Sequence, residues 1–375
     1  MSDFRLAHAA APDWGRAAKS CLDQLAVTEG GEAPGTLGFV YATDRLAGDM
    51  GSIVAFLRET TRVPHWVGTV GMGIVTTGRE YFDEPALVVM LARLPERTFR
   101  VFPAVTRDLV SFRASMAPWM DAAQPAFGIV HADPENARAP ALVAELSEAT
   151  ASYLVGGLTS SRTAHVQVAD TVTEGGVSGV LFSAEIGVAT ALSQGCSPIG
   201  AAHAVTAGDQ NVIFELDGRA ALDVLMADAR VESVEALASA ARGLHAALPI
   251  AGSDTGDYLV RNLVGIDPER GWVAIGDTVA PGDRLMFCRR DRASAKRDLD
   301  RMLGDLKRRT RDAPPRAGVY YTCLARGPNL FGPHSAEMAA IRDGLGDFPL
   351  VGFFCNGEIS HNRLYGYTGV LALFL

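Results

Sequence analysis

The sequence contains one pattern three times. Each copy has a short apolar strand that begins at glycine, a helical pattern, a second strand with an apolar-Val-Gly triplet, and a third apolar strand. The first strands are residues 38–42, 128–132 and 318–322, the triplets are residues 66–68, 154–156 and 350–352, and the third strands are residues 86–91, 179–182 and 369–373. The first glycine and the triplet glycine lie 30, 28 and 34 residues apart, enough for a strand, a helix and two loops. The pattern therefore predicts three βαββ units.

These units predict a fold of the α+β or α/β class. The repeated βαββ units should form mixed sheets with helices packed on their outer faces, in two subdomains, one arrangement being an αββα sandwich. A chain of 375 residues with 48% hydrophobic content is long enough for two domains. We expect an N-terminal helix and linker in residues 1–34, a domain with two units in residues 35–250, and a domain ending in the third unit in residues 251–375. Residues 97–120 remain unassigned, and residues 233–247 have a helical pattern.

Composition limits the partners and the compartment. The net charge of -9 disfavours nucleic acid and anionic lipid as partners. The N-terminal segment lacks the features of a secretory signal, and no apolar stretch is long enough to span a bilayer. The 5 cysteines include no CxxC pair, which favours reduced thiols. We therefore expect a cytoplasmic protein without membrane insertion.

The third unit predicts a ligand site. Its first two strands should run parallel, so the loops at residues 324–331 and 356–361 open on the same edge of the sheet. Arg326 in the first loop could grip a carboxylate, and Glu358 in the second could receive an ammonium group. This pair suits an amino acid or another small carboxylate. The alternative is that Arg326 and Glu358 neutralise each other.

The predicted ligand-binding residues come from this edge, from the glycines of the first unit, and from a turn at residues 195–197. They are Arg326, Gly327, Asn329, Asn356, Gly357, Glu358, Gly71, Gly73, Gly195, Cys196 and Ser197. Exposed backbone N–H groups in a turn can hold an anion, although residues 195–197 could also be an ordinary connection. The sequence predicts no cofactor.

An enzyme is the alternative class, and a protein-interaction scaffold is a third. We assign no catalytic residue, but the thiol of Cys323, Cys355 or Cys196 could act as a nucleophile with Glu358 or a nearby histidine as base. Buried cysteine in a purely structural role is commoner. His/Glu pairs three residues apart could hold a metal ion, although we predict none. Those pairs are His334 with Glu337 and Glu358 with His361.

Several motifs resemble those of a known family. Residues 282–291, 323–332 and 349–359 resemble the C-terminal half of the FIST domain, and residues 67–73, 94–95, 155–157 and 194–200 resemble its N-terminal half. The resemblance covers residues 35–375. It implies a sensory module of signal transduction that binds a small ligand such as an amino acid, without established catalytic residues. Because no kinase, cyclase, receptor or F-box segment is recognisable, the resemblance also implies output through a separate signalling protein.

Overall fold

A computed structural model of the chain describes residues 3–27, 32–240, 243–250 and 257–375. The chain forms two compact units. The first is Met1–Ser193 with Leu299–Leu375, and the second is Gln194–Asp298. The first unit holds the three predicted βαββ units, and the structure adds a strand and a helix before each of them. The second unit is inserted in the chain within the third of these longer repeats. The division into compact units does not test the domain limits expected at residues 34/35 and 250/251, which stay predictions.

The first two repeats have the same succession of elements. The first consists of β1 (Phe4–Ala10), α1 (Trp14–Gln24), β2 (Leu37–Thr43), α2 (Met50–Thr61), β3 (His65–Gly71), β4 (Gly73–Thr76), β5 (Arg79–Phe82) and β6 (Ala86–Ala92). The second consists of β7 (Phe99–Val105), α3 (Val110–Ala123), β8 (Pro125–Ala132), α4 (Ala139–Thr150), β9 (Tyr153–Leu158), β10 (Gln167–Ala169), β11 (Thr171–Thr173) and β12 (Val177–Ser183).

The third repeat begins with β13 (Val188–Ser193), after which the second unit follows in the chain. That unit contains β14 (Ser197–Pro198), β15 (His203–Asp209), β16 (Val212–Leu216), β17 (Arg219–Ala220), α5 (Ala221–Ala229), α6 (Val234–Ala240), β18 (Leu244–Pro249), β19 (Tyr258–Asp267), β20 (Trp272–Ile275) and β21 (Arg284–Arg289). The repeat resumes with α7 (Arg292–Arg309), β22 (Ala317–Cys323), α8 (Ala336–Leu345), β23 (Leu350–Cys355), β24 (Glu358–His361), β25 (Arg363–Tyr365) and β26 (Gly369–Phe374). Short 3-10 helices lie at Asp44–Asp49, Glu96–Thr98 and Gly327–Asn329.

The three repeats build three six-stranded sheets with one strand order. The orders are β1-β6-β2-β3-β10-β11, β7-β12-β8-β9-β24-β25 and β13-β26-β22-β23-β4-β5. The predicted first and second strands, which are β2 and β3, β8 and β9, and β22 and β23, pair in parallel, as the sequence predicts. The predicted third strands β6, β12 and β26 pair with β2, β8 and β22 in antiparallel fashion. The α+β prediction with several mixed sheets is confirmed.

Each repeat gives a hairpin to another repeat's sheet. The β4–β5 hairpin of the first repeat pairs with β23, the β10–β11 hairpin of the second pairs with β3, and the β24–β25 hairpin of the third pairs with β9. No repeat completes its own sheet. Side chains on these hairpins therefore lie beside residues that are distant in the sequence.

The triplet glycine of each repeat allows a close approach of two strands. A Cβ atom on Gly68, Gly156 or Gly352 would lie 1.7, 1.7 or 1.8 Å from a backbone carbonyl oxygen of the first strand. Those oxygens belong to the equivalent residues Val40, Val130 and Tyr320. Only glycine fits at such a distance, which explains why the triplet ends in glycine in all three repeats.

The inner faces of the three sheets share one core. Phe39, Ile129 and Val319, which occupy equivalent positions, are fully buried in it. Two residues further along β2, β8 and β22, the side chains of Tyr41, His131 and Tyr321 meet. The hydroxyl of Tyr41 lies 2.8 Å from that of Tyr321 and 3.1 Å from Nε2 of His131. Burial lowers the pKa of His131 to about 3, so its imidazole is neutral in this network.

The outer faces carry the helices, as predicted. Ile53 and Leu57 of α2 pack with Val40 from the outer face of the first sheet. Leu142 and Leu146 of α4 belong to an equivalent cluster on the second sheet. Successive side chains of β2 and β8 thus face the shared core and a helix layer in turn, which explains the continuous apolar sequence of these strands.

The second unit is a closed ring of antiparallel strands. β21, β15, β16, β20, β19 and β18 pair in that order, and β18 pairs again with β21. Its core includes Ile213, Val273 and Phe287 together with Leu225 of α5.

The structure assigns one segment that the sequence left open and corrects another. The unassigned residues 97–120 contain strand β7 and most of helix α3. The helix predicted over residues 233–247 is wrong in its last part, because α6 ends at Ala240 and β18 begins at Leu244. Leu244 and Ala246 face the core at the two-residue spacing of a strand, and pairing with two neighbouring strands overrides the helical tendency of the alanine-rich segment.

Gly156→Ala should destabilise the first unit by about 3 kcal/mol or more, because the new methyl group would collide with the backbone of Val130. Gly51→Ala is the matched control, since that glycine lies in α2 with no atom near the added Cβ. The control should gain about 0.5–1 kcal/mol. Chemical denaturation of both variants measures the difference, and a Gly156→Ala protein as stable as wild type would contradict the close approach.

Candidate functional site

The candidate site is the carboxyl edge of the third sheet. β22 and β23 are parallel and in register, so that Cys323 lies beside Cys355 at their ends. The loop at residues 324–331 begins at this edge, as predicted. The second predicted loop, residues 356–361, is wrong beyond Gly357, because Glu358–His361 forms strand β24 and pairs with β9 of the second sheet. The edge therefore lies where the second and third sheets meet.

Arg326 and Glu337 form a fully buried ion pair at this edge. Nε and Nη2 of Arg326 lie 2.8 and 2.7 Å from Oε1 of Glu337. Oε1 also accepts from the Tyr320 hydroxyl at 2.7 Å, and Oε2 accepts from the Gly327 amide at 3.0 Å. Glu337 thus ties the 3-10 turn after β22 to the first turn of α8.

The remaining donors of Arg326 also have partners. Nη1 lies 3.4 Å from the carbonyl oxygens of Ser193 and Tyr367, and Nη2 lies 3.3 Å from the Ser193 hydroxyl. Burial alone would lower the pKa of Arg326, but Glu337 and Tyr320 raise it above its usual value. The guanidinium is therefore a permanent cation whose charge Glu337 neutralises.

Glu358 is fully buried and only half satisfied. Its Oε2 accepts from the backbone amide of Thr368 at 3.1 Å and from the Thr368 hydroxyl at 2.8 Å. Within the described part of the chain, no N–H or O–H group donates to its Oε1. Burial raises the pKa of Glu358 to about 8, although Thr368 and Arg326 partly oppose this shift. A buried carboxyl group with one oxygen left without a donor is disfavoured as an anion.

Glu80 is a second carboxyl group with a raised pKa, and no motif in the sequence pointed to it. It lies on β5 of the exchanged hairpin, and its amide donates to the Ser335 hydroxyl at 2.9 Å. Burial first, and then repulsion by Glu337, raises its pKa to about 8, against a hydrogen bond from the Met338 amide. No sequence pattern could place Glu80 here, because the hairpin exchange determines its position.

The other residues predicted to bind a ligand have varied surroundings. Asn329 is exposed and donates to the Leu324 carbonyl, and Asn356 is exposed. Gly327, Gly357, Gly71 and Gly73 are buried. Gly195, Cys196 and Ser197 belong to the second unit, in which Cys196 is buried and Ser197 pairs with β21.

The cysteines at the edge are neutral thiols. Burial raises the pKa of Cys323 to about 12, with Glu358 adding to the effect. Burial also raises the pKa of Cys355 well above its usual value. In the second unit, a hydrogen bond with Cys196 and then burial raise the pKa of Cys288. A thiol nucleophile needs the opposite shift.

The residues considered for a metal ion are not gathered around one point. Glu337 is bound to Arg326, His334 is exposed, and the His361 ring stacks on Tyr153. Among the described residues, a group with metal-ligand spacing occurs elsewhere, at Asp133, Glu135 and His165. Both carboxylate oxygens of Asp133 already accept backbone amides.

The fold and the edge define a repeat-built α/β protein with a buried cluster of ionisable groups. The FIST N domain model matches residues 36–219, and the FIST C domain model matches residues 221–361. The chain therefore belongs to the FIST family, whose domains are associated with sensory and signal-transduction roles. None of the helices in the described ranges has the length and apolar composition to cross a bilayer.

Two mycobacterial proteins are similar over most of the chain. The uncharacterized protein Rv0628c of Mycobacterium tuberculosis H37Rv is 32% identical over 346 residues, which cover 86% of this chain and 87% of that protein. The uncharacterized protein Mb0898c of Mycobacterium bovis is 31% identical over 387 aligned positions, covering 97% of this chain and 96% of that protein.

Arg326→Met should destabilise the protein by about 3–5 kcal/mol, because it leaves Glu337 buried without its counter-charge. The double variant Arg326→Met/Glu337→Leu should recover much of that loss, since it removes both charges together. Arg138→Met is the control, because Arg138 and Glu145 form an exposed pair worth about 0–1 kcal/mol. Urea denaturation measures all three, and a single variant as mild as the control would contradict the role of the pair.

Proposed function

We propose that this protein is a sensory module that binds a small ligand at the carboxyl edge of the third sheet and signals through a separate protein. The observation that carries the proposal is Glu358, whose Oε1 is buried without an N–H or O–H donor in the described part of the chain. Native proteins seldom leave a buried polar atom unpaired unless it has a role. Membership of the FIST family supports the sensory role.

The position of Glu358 suggests how binding is transmitted. Glu358 is the first residue of β24, which comes from the third repeat but pairs with β9 of the second sheet. The partner strand β25 lies at the outer edge of that sheet and has the exposed Arg363. A ligand that pulls on Glu358 would therefore move this hairpin at the margin of the second sheet, and a partner protein that contacts β25 would detect the movement.

The alternative of a cysteine-dependent enzyme has less support. The raised pKa values of Cys323 and Cys355 keep both side chains as thiols at neutral pH. The ion pair of Arg326 with Glu337 and the hydrogen bonds of Glu358 hold the edge in one arrangement, which suits recognition.

A thermal-shift screen of small amines, amino acids and carboxylates tests the proposal. A compound at about 100 times its Kd adds about 2.7 kcal/mol to the free energy of unfolding and should raise the Tm by several degrees. The shift should disappear in Glu358→Gln and persist in Glu174→Gln, whose parent glutamate is exposed. A screen without any hit, or hits that Glu358→Gln leaves unchanged, would contradict a site at this edge.

A further inference from the structure

The charges at the edge are unequal. Arg326 forms an ion pair with Glu337, which already neutralises its charge. Glu358 and Glu80 remain, each with one carboxyl oxygen that has no N–H or O–H donor among the described residues. If both were ionised, three carboxylates would share one guanidinium. A bound carboxylate would add a further negative charge to this edge.

The geometry at Glu358 favours a ligand that donates hydrogen bonds. Thr368 supplies two donors to Oε2, so the unsatisfied acceptor is Oε1. The donors of Arg326 are bound to Glu337, Ser193 and Tyr367. A ligand carboxylate would have to displace Glu337 to reach the guanidinium, whereas an ammonium group would supply Oε1 with a donor and leave the Thr368 hydrogen bonds in place. The Cys323 thiol also hydrogen-bonds to the Glu358 carboxyl group.

We propose that the ligand presents a protonated amine to Glu358, and that Glu358 releases its own proton to solvent as the amine binds. This inference rests on the proposed function and specifies the chemical class of the ligand. The ammonium group then supplies the positive charge that a buried carboxylate requires. An amino acid can satisfy the site through its amine, but a simple carboxylate cannot.

The other ionisable groups around Glu358 do not change their protonation near pH 8. Arg326 favours the carboxylate form and stays charged throughout, while the thiols of Cys323 and Cys355 stay neutral near pH 8. Because the pKa of Glu358 is about 8, amine binding below that pH must remove a proton. The affinity for an amine should therefore rise about tenfold per pH unit up to pH 8 and then level off.

Three probes that share a two-carbon unit carrying an amine, a carboxylate or both test the ligand class: ethylammonium, propionate and β-alanine, all at equal ionic strength. Isothermal titration calorimetry at pH 6.5 in two buffers of different ionisation enthalpy should show release of about one proton per bound ethylammonium. At pH 9 the release should fall to about a tenth of a proton. Glu358→Gln should lose the affinity and the proton release, and Glu174→Gln should keep both.

The outcomes separate this inference from the proposed function. Binding of propionate but not ethylammonium, with loss of binding in Glu358→Gln, would contradict an amine as the ligand group but support the location of the site. Ethylammonium binding without proton release would overturn the exchange of the proton for the amine. Failure of every probe, and of the wider screen, would overturn both the ligand class and the site. Because proton release is measured on the wild-type protein, the test does not depend on how the variants fold.

Discussion

The exchange of hairpins among the three sheets is the constraint on which the rest of the structure depends. Each six-stranded sheet is completed by strands from another repeat, so the three repeats can only fold together. At their centre, Tyr41, His131 and Tyr321 join the equivalent first strands by hydrogen bonds inside an apolar core. Polar groups in such a core have few alternative partners, which favours one register of the three repeats. The exchange also brings Glu80 and Glu358 to edges that their own repeats do not form.

The candidate site follows from that exchange and from a simple balance of charge. The Arg326–Glu337 pair fixes the turn after β22, and in doing so it uses the cation that would otherwise compensate Glu358. The folded pKa of Glu358 lies near 8, well above its ordinary value of 4.5. Its protonated form therefore stabilises the fold at low pH, and that contribution is lost as the pH rises from 4.5 to 8. In the upper part of this pH range, a cationic ligand can supply the positive charge that the Glu358 carboxylate lacks.

The sequence predicted the three repeats and their parallel strand pairs, because apolar periodicity and the glycine triplets are local signals. The ligand-binding role of Glu358 stays a prediction. It could not predict that β4 and β24 leave their own sheets, since strand pairing between repeats has no local pattern. For the same reason Glu80 was missed, and Glu358 was expected in a loop. The partner of Arg326 was also hidden. The sequence pattern pointed to Glu337 only as a possible metal ligand with His334, and only the fold of the 3-10 turn before α8 brings it to the guanidinium.

The central claim is that Glu358 holds a proton at neutral pH until a ligand replaces it. The most direct measurement is a carbon-13 NMR titration of the glutamate side-chain carboxyls, with the Glu358 signal assigned by its absence from Glu358→Gln. The structure predicts a titration midpoint near pH 8 for the ligand-free protein. A midpoint near the ordinary value of 4.5 would show that Glu358 is already compensated, and would contradict the account.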